Sequence, residues 1–375
     1  MSKIATIIIM STRKKSVIFK GMIGFVLVFW CMHAFSLPVC ADHKDDSPTN
    51  KGNGQCVSPP FLKPGDKVAL ISPAYATSME NVENTVKVLQ GWGWTPVVGP
   101  NVGKVYAGKY SGTVEERVAD IRWALDNPDV KAIICNRGGY GTIQYVNELT
   151  LQELASHPKW IVGFSDITTL HGLQTCAGVM SIHGTMSSFL GPSGGRDATS
   201  TLMRDILMGI IPRYEVPAHP CNITGRARGM LVGGNICTFA PLLGSQADAT
   251  AFDDIILFIE EVEESMHNLD RLFNMLQLNG VLARCKGVVL GEFTGCRADL
   301  EYESVEYLYR QYLEKYNIPV LCGFPAGHGD VNLPLIMGAP VTLDVRADGA
   351  TLTFDIIGEQ RTIRTETILP ADTSK

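Results

Sequence analysis

Over residues 67–176 short continuous apolar runs alternate with capped amphipathic segments, and this alternation narrows the fold more than any other feature. Lys67-Val68-Ala69-Leu70-Ile71-Ser72 reads as a strand buried on both faces. Residues 81–91 follow as a helix with Val82, Val86 and Leu89 on one side. Thr113 and Glu116 have capping-box spacing ahead of a second helix that aligns Val118, Ile121 and Leu125. Residues 131–135 are a strand, Thr150 with Glu153 caps a short helix, 160–164 are a strand and 167–176 a helix. Strands alternating with helices predict a mainly parallel sheet covered on both faces.

The later half starts near Gly225. It reads as strands at 254–262, 287–290 and 319–322, helices at 268–282 and 302–316, and a hairpin over 341–356 that folds at Asp348-Gly349. Its 375 residues suit two lobes, and 45% hydrophobic with 19% charged residues excludes a disordered chain. The expected organisation is a targeting segment at 1–41, a polar linker at 42–61, a first lobe at 62–190, a connection at 191–224, a second lobe at 225–365 and a tail at 366–375.

Arg13, Lys14, Lys15 and Lys20 precede the apolar run 21–37, and Val39-Cys40-Ala41 resembles a small-residue cleavage site. An exported protein is expected, with its signal peptide cleaved near Ala41. An uncleaved anchor and a lipid on Cys40 are the alternatives, and membrane contact is expected only through this segment. Residues 1–41 hold five basic and no acidic residues, so their removal takes the net charge from −6 to −11. A body that acidic is a poor nucleic-acid binder. None of the ten cysteines forms a CxxC pair, and the histidine spacings of zinc hydrolases are absent, so no metal is expected. Cys135, Cys176 and Cys322 sit in apolar segments; disulfides after export stay open.

Three places carry chemistry. In Gly163-Phe164-Ser165-Asp166 a strand runs straight into a helix, which either exposes Ser165 as a nucleophile at an elbow or makes it an N-cap. Asn136-Arg137-Gly138-Gly139-Tyr140-Gly141 follows a strand and either turns its N–H groups towards an anion or simply turns the chain. Glu260 opens an acidic run with Glu261, Glu263 and Glu264, and His328 lies in a glycine-rich loop. Taken alone, these last two read as a solvated face and an ordinary loop histidine. His171 and His183 fit satisfied core positions.

Together these blocks resemble the LD-carboxypeptidases, serine peptidases that include muramoyl-tetrapeptide carboxypeptidase and microcin C immunity peptidases. The resemblance covers residues about 62–365. It rests on the blocks at 65–74, 129–141 and 163–171, then 229–235, 258–261, Asp270-Arg271 and Gly327-His328, in that order. It implies an α/β fold with a flavodoxin-like first unit and a smaller β-rich second one, and an active site in the cleft between them. Ser165 matches the nucleophile, Glu260 the acid and His328 the base. Backbone N–H groups of Asp166 and of the Gly138-Gly139 turn would form the oxyanion hole. Arg137 is the candidate for the substrate carboxylate, with Gly138 beside it.

The resemblance implies a homodimer and no cofactor. The implied reaction releases the terminal D-alanine of murein tetrapeptides by cutting between an L-configured centre and D-Ala. Thr185 replaces a proline common among relatives. Two alternatives remain: an immunity-type peptidase acting on peptidyl or aminoacyl nucleotides, and an exported solute-binding protein without catalysis. A nucleotide needs an aromatic platform, and the tryptophans Trp92, Trp94, Trp123 and Trp160 fall in segments assigned to core or sheet.

Overall fold

The computed structural model describes residues 55–298 and 302–368. The export segment with Cys40 and Ala41, most of the linker and the end of the tail lie outside the described residues. The strands in chain order are β1 (Lys67–Ile71), β2 (Thr95–Val98), β3 (Val130–Cys135), β4 (Trp160–Gly163), β5 (Ser181–His183), β6 (Ile210–Pro217), β7 (Gly225–Asn235), β8 (Ile255–Val262), β9 (Cys285–Thr294), β10 (Val320–Leu321), β11 (Leu335–Met337), β12 (Pro340–Arg346), β13 (Gly349–Phe354) and β14 (Glu359–Arg364).

The first sheet has the order β11-β5-β4-β3-β1-β2, with β1 to β5 parallel. Without β11 this is the flavodoxin-like order 2-1-3-4-5. Side-chain alternation feeds two separate cores. Val68, Leu70, Ile134 and Val162 pack to one side, and Ala69, Ile71, Ile133 and Ile161 to the other. Each of the Val, Leu and Ile side chains contributes about 1.5–3 kcal/mol on burial, so apolar residues at consecutive strand positions suit a sheet covered on both faces. The covering helices include Met79–Gly91, Val114–Asp126 and Thr168–Cys176. Thr113 with Glu116 and Thr150 with Glu153 both form the capping boxes that their spacing predicts.

The second sheet has the order β10-β9-β8-β7-β12-β13-β6-β14 and is the wider of the two. β7 to β10 are parallel, and β12 and β13 form the expected hairpin with Arg346 opposite Gly349. The architecture is therefore α/β with two sheets, as the sequence predicts, but several details differ. The helix expected at 268–282 ends at Leu278. Gly280 is left-handed, and a short helix resumes at Val281–Arg284.

The stretch 191–224 supplies helix Ala198–Leu207 and β6, an interior strand whose Ile211, Tyr214 and Val216 face the core. Pro212 and the charged residues between them dilute its pattern. The end of the expected linker is built into the fold. Val57 bridges Val179, Phe61 stacks on Trp160 at 6.0 Å, and Trp160 Nε1 donates to Pro60 O at 3.1 Å. Finally, β11 leaves the later half of the chain to pair antiparallel with β5 at the edge of the first sheet.

Candidate active site

The carboxyl end of the first sheet shapes the serine turn. β4 ends at Gly163, Phe164 is extended, and Ser165 has φ +63°, a left-handed value rare for a residue with a side chain. A short 3₁₀ turn, Ser165–Ile167, leads directly into Thr168–Cys176. No side-chain capping bond is made at either start, so Ser165 is not an N-cap. Holding such a conformation costs about 1–3 kcal/mol, and the surroundings must enforce it. His171 is part of them: its Nε2 lies 2.9 Å from Gly163 O and its Nδ1 2.8 Å from Ser181 Oγ. Burial pushes this imidazole down to about 4, so it is neutral and donates from Nε2 to the carbonyl.

The glycine turn lies directly on the serine. A Cβ on Gly138 would sit 3.0 Å from Ser165 Cβ and 3.2 Å from Ser165 Oγ and Phe164 O, so a larger residue must push the serine turn aside by a few tenths of an ångström. Gly139 packs beneath the Tyr75 ring instead. Two buried groups hold the turn. Asp166 Oδ2 accepts from Thr142 N–H at 2.9 Å, and Thr142 Oγ1 donates to Asp166 O at 2.7 Å. From behind, the buried Arg117 donates to Gly141 O at 3.0 Å and to Gln144 Oε1 at 2.7 Å. Gly138→Ala is expected to lower kcat/KM roughly tenfold, less than the ~10²-fold that displacing reacting groups by about 1 Å costs, while the melting temperature changes little. Steady-state kinetics beside a thermal melt checks it.

The acidic run divides by strand alternation. Glu260, at the end of β8, is fully buried on the side of His328, and its Oε2 lies 2.7 Å from His328 Nδ1. A carboxylate only accepts, so Nδ1 carries the hydrogen. Glu261 points the other way, taking Asn235 Nδ2 at 2.8 Å and Cys237 N–H at 2.9 Å. Burial pushes the Glu260 carboxyl up, opposed by its bond to His328, and its Oε1 is buried with no partner among the described residues. Burial also works against protonated His328, but the Glu260 hydrogen bond and charge outweigh it and hold the imidazole above its usual range.

The His328 ring stands edge-on to Phe164 at 5.0 Å, so the acid–base pair meets the residue just before Ser165. Ser165 Oγ makes no hydrogen bond among the described residues. The His328 loop is strung between the sheets, from β10 to β11. Asn332 Oδ1 accepts from Gly327 N–H at 3.0 Å and meets His183 Nε2 at 3.0 Å. Arg137 is exposed at the rim, over the Tyr75 ring at 5.9 Å.

The structure thus gathers Gly138, Ser165 and Asp166, and separately pairs Glu260 with His328 against Phe164. Sequence reasoning missed Arg117, Thr142 and Asn332. Asn332 lies four residues past His328 in a loop without periodicity, and Arg117 looks like an ordinary solvated helix residue. Among the described residues no three His, Cys, Asp or Glu side chains converge to hold a metal ion.

Comparison with known proteins adds an independent finding. Residues 68–184 match the model of the LD-carboxypeptidase N-terminal domain and 228–343 that of its C-terminal domain. The chain is 33% identical over 290 residues to the murein tetrapeptide carboxypeptidase of Pseudomonas aeruginosa, covering 74% of this chain and 93% of that one. It is 27% identical over 338 residues to the microcin C7 self-immunity protein of Escherichia coli, covering 80% and 96%. The fold matches the crystal structure of muramoyltetrapeptide carboxypeptidase from Oxalobacter formigenes with a TM-score of 0.71 at 24% identity, over 78% and 99% of the two chains.

Proposed function

The chain belongs to the LD-carboxypeptidase family and is a peptidase, and from that premise we propose that it removes the terminal D-alanine of murein tetrapeptides with Ser165 as nucleophile, His328 as base and Glu260 as its acid partner. The observation that carries the reading is the 2.7 Å contact between His328 Nδ1 and the buried Glu260 carboxylate. It leaves Nε2 as the nitrogen that takes the Ser165 proton and returns it to the leaving amine.

Attack of Ser165 Oγ on the carbonyl carbon of the L-configured residue puts negative charge on the carbonyl oxygen. N–H groups of Asp166 and of the Gly138-Gly139 turn would receive it. Collapse expels D-Ala and leaves an acyl-Ser165 ester, which water hydrolyses with His328 again as base. A binding protein would have no use for a strained serine whose neighbour Phe164 packs on a histidine held by a buried carboxylate.

Arg137 is proposed to hold the free C-terminal carboxylate. Arg137→Ala is expected to raise KM about 10- to 100-fold with kcat nearly unchanged, as for loss of one charged hydrogen bond. An unchanged KM for the tetrapeptide would remove Arg137 from that role.

We place the action outside the cytoplasm on the strength of residues 13–41. Recovery of unprocessed chain in the soluble cytoplasmic fraction would remove that placement.

A second reading, cleavage of an aminoacyl nucleotide, draws support from Phe189. This ring is 53% exposed and packs on Phe164 at 5.5 Å, which offers a base the stacking face that the tryptophans do not. Incubating the protein with a murein tetrapeptide and, separately, with an aspartyl-adenylate mimic decides between the two. The proposed function expects D-Ala and tripeptide from the first and little turnover of the second.

A further inference from the structure

We infer that Cys221 and Cys322 are the two halves of a disulfide that closes the segment entering β7 onto β10, the strand leading to the His328 loop. Ile223 and Val320 exchange both backbone hydrogen bonds across an antiparallel bridge, at 3.0 and 2.9 Å. Two residues outward along each chain the ladder ends: Cys221 lies in a turn closed by Asn222 N–H to His219 O at 3.0 Å, with Cys322 beside it. Both are free thiols in this structure, and a disulfide spans Cα atoms roughly 4.4–6.8 Å apart.

The surrounding contacts keep the two chains together at this point. Cys322 Sγ lies 3.3 Å from the carbonyl oxygen of Cys221 itself. Cys322 N–H donates to Asn222 Oδ1 at 2.8 Å, and Cys221 N–H donates to His219 Nδ1 at 3.2 Å. The His219 ring in turn packs against Gly323, the residue after Cys322. Neither cysteine touches Ser165, Glu260 or His328, so the pair is separate from the catalytic machinery.

Cys221 is within reach of a small reagent. Cys221 is partly exposed, and Cys322, though buried, lines a groove of about 560 Å³ together with Glu292, Gly323 and Pro325. Cys221 is the more exposed of the two and reacts first; burial pushes its thiol up as well, and pushes that of Cys322 up to about 12. The oxidant is a low-molecular-weight disulfide. The Cys221 thiolate attacks one of its sulfurs, forming a mixed disulfide and releasing one thiol. The Cys322 thiolate then attacks the Cys221 sulfur, forming the internal bond and releasing the second thiol. One disulfide bond breaks, one forms, and both protons end on the released thiols.

The test uses the reduced, folded full chain, incubated with oxidised glutathione, alkylated, and digested with trypsin. The expected result is a single linked species joining the peptide that carries Cys221 to the one that carries Cys322, with a thermal midpoint raised by several degrees over the reduced protein. Cys221→Ser, a change at the more exposed partner, should abolish both the link and the response of the midpoint to glutathione. Recovery of the two peptides unlinked, each alkylated or capped by glutathione, or linkage of either to another cysteine, would overturn the inference.

Discussion

Ser165→Ala is expected to lower kcat for release of the terminal amino acid by roughly 10⁴- to 10⁶-fold, the range for removing a triad nucleophile. Binding should survive, because the change removes one oxygen from a turn that Thr142, Asp166 and Arg117 hold without it. The protein should also become slightly more stable or stay unchanged. The side-chain oxygen at φ +63° makes no hydrogen bond among the described residues, so nothing is lost with it. Mass spectrometry of the released amino acid, with a thermal melt on the same sample, reads both effects. Activity within tenfold of the parent would remove Ser165 from the mechanism.

The second large effect belongs to Glu260. Glu260→Gln is expected to cost about 10³- to 10⁴-fold in kcat and to move the acidic limb of the pH–rate profile. The sign follows from the geometry. The base must be neutral to accept the serine proton, and Glu260 holds His328 above its ordinary value of 6.5. In the parent enzyme kcat/KM should therefore climb through a pH above 6.5. In the variant the Glu260 charge is gone and burial is opposed chiefly by the charge of Glu261, so the limb should fall below that of the parent. A lower rate with an unmoved limb would mean that another group sets the titration. The charge of Glu260 explains why the loss should be large. The carboxylate gains most when His328 becomes a cation, so its stabilisation is concentrated in the transition state.

The parallel lobe was legible because buried parallel strands and capped helices leave local marks. Thr113 with Glu116 and Thr150 with Glu153 act in the structure as their spacing says. The short strands were not legible. β5 and β11 have three residues each, too few for a period, and their place is set by partners far away in sequence. Ser165 was ambiguous for a physical reason. An N-cap and a nucleophile elbow use the same residue at the same junction, and only the positive φ and the missing capping bond separate them. Glu260 and His328 are 68 residues apart, and nothing local to either predicts their contact; only the ordered blocks of the family resemblance paired them. Arg117 was invisible because a helix arginine is ordinarily solvated, whereas this one is spent on the carbonyls behind the glycine turn.

The path of the chain through β10, the His328 loop and β11 also sets the order in which the enzyme can come to life. All five parallel strands of the first sheet, with the serine turn, are contained in the first 183 residues. His328, the proposed base, is carried by a segment that reaches its place only after the second sheet exists to receive β10 and the first sheet is there to receive β11. With Ser165 and His328 in their proposed roles, a nascent chain emerging from its N-terminus would hold its nucleophile without its base for well over a hundred residues, and hydrolysis would begin only when the last third of the polypeptide has docked.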